Sequence, residues 1–226
     1  MDSHPDSPAR TGRLVGILLF VQLAGLIVPF ILLHPITSTA FLDTAAASAP
    51  QLRTAVGLLF ANAALTIVIA TLAFNTLRTH GPAMALWLFT ASVLWFMAQA
   101  ADNAHVLSMV SLSRRYTDGS GANAEMFEAL ASAARSTRIW MHYTALLLVE
   151  AWFLVFYAVL FRAALVPRPL ALLGVAMVFL HAVGVTLPMF IGFEPTPMLA
   201  PSLALSHVAI GAWLIAKGFP AEARTT

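Results

Sequence analysis

Residues 139–161 read IWMHYTALLLVEAWFLVFYAVLF, a run of twenty-three with one carboxylate, Glu150, and neither glycine nor proline. A helix that crosses a bilayer needs roughly 20 mostly apolar residues. A helix lying on a soluble core would instead show one polar face. This run is apolar all round, so it reads as a membrane span. Five more stretches read the same way: about Leu14–His34, Leu52–Leu77, Met84–Leu112, Pro169–Ile191 and Met198–Phe219. The expectation is an all-α, six-transmembrane-helix bundle. Residues 1–13 and 220–226 form short cytoplasmic tails, and 14–219 form one membrane domain.

Composition agrees. Of 226 residues, 60% are hydrophobic and 10% charged, with a mean hydropathy of +0.84. A soluble domain carries about 25% charged residues, and a disordered chain needs low hydrophobicity with high net charge. Both classes are excluded. A net charge of +2 without a basic block argues against a nucleic-acid partner. The absence of cysteine removes disulfides, thiolate nucleophiles, iron–sulfur clusters, cysteine-type zinc sites and covalently attached haem.

Breakers fall where loops are required: His80-Gly81-Pro82, Asp118-Gly119-Ser120-Gly121, Pro167 with Pro169, and Glu194-Pro195-Thr196-Pro197. Between the third and fourth spans, Met126, Phe127, Leu130 and Ala134 line one side of 124–135, with Glu125, Glu128 and Arg135 on the other. That spacing predicts a short interfacial helix before the fourth span. The first apolar run is too long for a signal-peptide core, so it is expected to remain as a span. With the N-terminus inside, the inner set is Arg10, Arg13, Arg78, Arg162, Arg168, Lys217 and Arg224, and the outer set is Arg53, Arg114, Arg115, Arg135 and Arg138. All five acids expected in the outer loops (Asp43, Asp118, Glu125, Glu128 and Glu194) then lie on the other side. Lys/Arg bias sets orientation, and both termini are expected in the cytoplasm.

Ionisable side chains inside the spans are few: Asp102, His105, His142, Glu150, His181 and His207. Each costs at least about 2.5–3.5 kcal/mol on insertion scales and is a functional candidate. At 1.5 Å per residue, Asp102, Glu150, His181 and His207 fall roughly 15–17 Å from one end of their spans. Gln99, Asp102 and His105 make a stripe at i, i+3, i+6. Tyr143, Glu150 and Tyr157 share one face of the fourth span. If these stripes turn inward, carboxylates and imidazoles converge on a metal such as zinc, iron or manganese, as in bundle metal centres. Asp102, His181 and His207 are then the ligands. Glu150 is a fourth ligand or the general base, and His105 supports Asp102. That reading makes the chain a metal-dependent enzyme or redox protein acting on a small lipophilic substrate.

Two other readings stand beside it. The same residues can serve packing or proton coupling in a non-catalytic subunit, binder or carrier of a small ligand. In that case Asp102 pairs with His105 along its own helix, Glu150 bonds to a tyrosine or to Asn62, and the histidines bond to a backbone carbonyl or a serine. Alternatively, His181 and His207 are axial ligands of a b-type haem, for which Gly174, Gly184 and Gly192 thin the fifth span. Membrane lipids are expected partners under every reading.

The runs Leu165-Val166-Pro167-Arg168-Pro169-Leu170-Ala171, Ala200-Pro201-Ser202-Leu203-Ala204 and Ala212-Trp213-Leu214-Ile215-Ala216-Lys217-Gly218-Phe219 add a further signal. So do Arg13-Leu14-Val15-Gly16 and Ser113-Arg114-Arg115-Tyr116. Together they resemble the bacterial multi-pass membrane family labelled domain of unknown function 4386 over nearly the whole chain. The resemblance implies six spans in the inner membrane and no particular activity.

Overall fold

The computed structural model describes residues 7–119 and 123–220; residues 1–6 of the expected N-terminal tail and 221–226 of the C-terminal one lie outside them. Six helices are long and apolar enough to cross a membrane. They are α1 (Pro8–Leu32), α2 (Ala49–Arg78), α3 (Pro82–Asp118), α4 (Ala124–Arg162), α5 (Arg168–Ile191) and α6 (Pro197–Lys217). Helix α1 starts six residues earlier than the sequence suggested, because Ser7 caps it and Pro8 opens it. The segment 124–135 is helical as expected, but it runs unbroken into the fourth span. No glycine or proline interrupts 124–162, so nothing in the chain stops the helix.

Each span packs on its neighbours in sequence, and α6 returns to α1 to close a ring. The closing seam is built on small residues. A Cβ added at Gly16 would stand 2.8 Å from the Gly211 carbonyl oxygen, so the two backbones meet directly. Around this ring, large apolar side chains such as Phe30, Trp87 and Phe179 remain exposed. That is a cost in water and a fit in hydrocarbon.

Two apolar clusters fill the ring. The larger lies toward the end that carries Ser7 and Pro220. There Trp152, Phe153, Phe156, Tyr157 and Leu160 of α4 meet Val15, Leu19, Ile69, Leu88, Ile210 and Leu214. Trp152 and Phe156 stack at 5.2 Å. The smaller cluster caps the opposite end with Phe41, Leu42, Leu52, Val106 and Met109. It is tied down by Ser113 of α3, whose hydroxyl donates to the Leu42 carbonyl at 2.6 Å and accepts from the Ala46 N–H at 2.8 Å. On α1, α2 and α3 the residues between the two clusters are the polar ones: Gln22, Asn62, Gln99, Asp102 and Asn103, all buried.

Candidate functional site

Helix α5 is not uniform. It is α-helical to His181, widens to a π-helix over Ala182–Thr186, and resumes as α from Leu187 to Ile191. The cause is local. Pro188 has no N–H to give to the Gly184 carbonyl, and its ring crowds the preceding turn. The freed Gly184 oxygen instead accepts the Thr196 N–H at 2.6 Å, which pulls the loop before α6 back onto the widened turn. Such π-turns recur at functional sites. This one turns both His181 and Thr186 toward α4.

There they meet Glu150. His181 Nδ1 lies 2.7 Å from Glu150 Oε1, and the Thr186 hydroxyl donates to the same oxygen. All three residues are buried. Two groups converge on one carboxylate oxygen, which is therefore assigned as the acceptor of both, with the His181 proton on Nδ1. This brings a carboxyl, an imidazole and a hydroxyl into contact inside the membrane-spanning part of the fold. Thr186 was not singled out from the sequence; its place two residues before a proline in an apolar span was the available signal.

Asp102 is buried as deeply, 1% exposed against 5% for Glu150, but it is held differently. Its Oδ2 is 4.0 Å from His142 Nδ1, and its Oδ1 has no hydrogen-bond partner in the chain. Arg138, one turn before His142 on α4, lies within electrostatic reach of Asp102, yet its own Nε is buried without a partner. Arg138 and His142 stand at i, i+4, so one face of α4 presents both to Asp102. That spacing is legible in the sequence, where Arg138 counts only toward the outer Lys/Arg set. His105 does not pair with Asp102. Its Nε2–H donates to the Ala134 carbonyl of α4 at 2.8 Å, which clamps α3 to α4.

His207 is separate again. Its Nδ1–H donates to the Leu203 carbonyl of its own helix at 2.8 Å, and its ring stands edge-on to Phe153 at 4.6 Å. Its Nε2 is buried without a partner. Nearby, Tyr157 and Ser206 share a 3.0 Å hydrogen bond, and the Trp152 indole donates to Ser92 at 2.7 Å.

The expected gathering of Asp102, Glu150, His181 and His207 is therefore not formed. Among the described residues no three His, Cys, Asp or Glu side chains come together as a metal would need. Glu150 and His181 are the one close pair from that set. The reason is the register of α3 against α4. Asp102 lies level with Arg138 and His142, and His142 is eight residues, about 12 Å of helix, from Glu150. Sequence-based depth assumed that span three ended near Leu112 and span four began near Ile139. The helices overrun those limits unequally, to Asp118 and back to Ala124. The room expected for haem is also filled. A Cβ at Gly174 would sit 2.7 Å from the Tyr157 ring, and the face at Gly184 is occupied by Leu199. Gly192, with φ 81, ends α5.

A family described as Domain of unknown function (DUF4386) matches residues 14–218. No curated protein and no solved structure matches the chain.

Proposed function

This chain belongs to the DUF4386 family, and on that premise we propose that it is a non-catalytic membrane protein that binds or carries a small ligand. In this reading a proton is exchanged at the Glu150–His181–Thr186 cluster as the ligand binds. The observation that carries it is one buried carboxylate oxygen held by an imidazole and a hydroxyl at a π-turn. A strut between α4 and α5 would not require charge. Replacing a buried ion pair by packed apolar side chains is often neutral or stabilising, whereas intramembrane ionisable groups mark ligand and proton pathways. The metal-dependent reading has less support, because Glu150 and His181 supply only two donors and Asp102 lies two turns away. We place the protein in a bacterial cytoplasmic membrane with both termini inside. The cationic end that carries the described parts of both termini supports that orientation.

The test is infrared difference spectroscopy of the protein in lipid nanodiscs over the pH range in which the fold is stable. A carboxyl band should appear and vanish with pH, be absent in Glu150→Gln, and move in frequency in Thr186→Val. A difference spectrum that is the same in wild type and Glu150→Gln would overturn the proposal and leave the cluster a static tie.

A further inference from the structure

Among the described residues, the end of the ring that carries Ser7 and Pro220 is cationic: Arg13, Arg78, Arg162, Arg168 and Lys217 lie there. The described acids are either buried in the bundle, as Asp102 and Glu150, or lie at the other end, as Asp43, Asp118, Glu125, Glu128 and Glu194. At this cationic end, where the loop between α4 and α5 meets the last turn of α6, a cleft of about 430 Å³ opens. Its walls include Pro167, Arg168, Trp213, Lys217 and Gly218.

The cleft is amphipathic along the membrane normal. Arg168 opens α5, and Leu172, one turn further into the span on the same face, is 51% exposed. Lys217 closes α6, and Trp213, one turn further in, is exposed as well. Each cation thus stands at the end of a membrane-spanning helix, one turn from an uncovered apolar side chain. The Arg168 guanidinium lies over the Phe161 ring at 5.9 Å, which holds it beside the opening.

We propose that this cleft is a binding site for an anionic phospholipid. Arg168 and Lys217 would hold the phosphate, and the acyl chains would descend along Trp213 and Leu172. Basic pockets between span ends are a recognised form of lipid-headgroup site. The occupant is a lipid rather than a free phosphate because the apolar wall continues below the cations.

The test uses the full chain in detergent, with retention of phosphatidylglycerol and phosphatidylcholine read by native mass spectrometry. Wild type should prefer phosphatidylglycerol. That preference should fall by about five-fold for each cation removed in Arg168→Gln, Lys217→Gln and their combination. Arg78→Gln, at the same end but outside the cleft, should leave it unchanged. In membranes containing brominated phosphatidylglycerol, tryptophan quenching should drop in Trp213→Phe, a measurement that does not depend on the charge variants folding. Three outcomes would overturn the proposal: an unaltered preference in the double variant, an equal loss in Arg78→Gln, or displacement of the lipid by inorganic phosphate.

Discussion

Glu150 on α4 and Asp102 on α3 are both carboxylates withdrawn from solvent between packed spans, yet their surroundings differ. Glu150 receives a ring nitrogen and a hydroxyl on one oxygen. Asp102 faces an imidazole 4.0 Å away, with one oxygen and the neighbouring Arg138 Nε unpartnered. The difference begins in the backbone. The π-turn that Pro188 imposes on α5 can turn two side chains toward one point, whereas α3 and α4 are regular helices that meet Asp102 with long side chains only. A tightly held charge resists removal of its partner. A loosely held one tolerates its own neutralisation, because little is lost and a buried charge is relieved.

That contrast can be broken by measurement of unfolding in lipid nanodiscs. His181→Ala should cost about 3–5 kcal/mol, since it leaves Glu150 buried without its ionic partner. Arg138→Ala should cost about 1–3 kcal/mol, because Asp102 then loses the cation in its field. Thr186→Val should cost about 1 kcal/mol, the worth of one hydrogen bond. Asp102→Asn should change stability by less than about 1 kcal/mol, or raise it. If Asp102→Asn proves as damaging as His181→Ala, the two sites are held alike and the contrast fails. A double-mutant cycle sharpens it further. Glu150→Gln with His181→Ala should show coupling of about 0.5–3 kcal/mol, and Asp102→Asn with His181→Ala none, since about 12 Å of helix separates the sites.

The candidate residues were legible to unequal degrees. Glu150 and His181 stood out as ionisable groups in apolar runs, and the structure brings them together. Thr186 did not, because a lone threonine in a span carries no signal until the π-turn aims it. His105 and His207 looked like site residues, but each donates to a backbone carbonyl, Ala134 in one case and Leu203 in the other. For His207 a carbonyl was one of the partners the sequence allowed; for His105 the sequence pointed to Asp102 instead. Arg138 stands on the same helix face as His142 because α4 begins fifteen residues before the apolar run that announces it.

What the residue order determined by itself is the class of fold: apolar runs of bilayer length, separated by Gly/Pro turns, force six helices because only a helix satisfies its backbone hydrogen bonds within a single segment in lipid. Which polar groups meet was decided only by tertiary structure. Period and hydropathy fix how far along a helix a residue lies, but not how that helix is rotated or how far it slides against its neighbour. A slide of two turns between α3 and α4 is enough to separate Asp102 from Glu150.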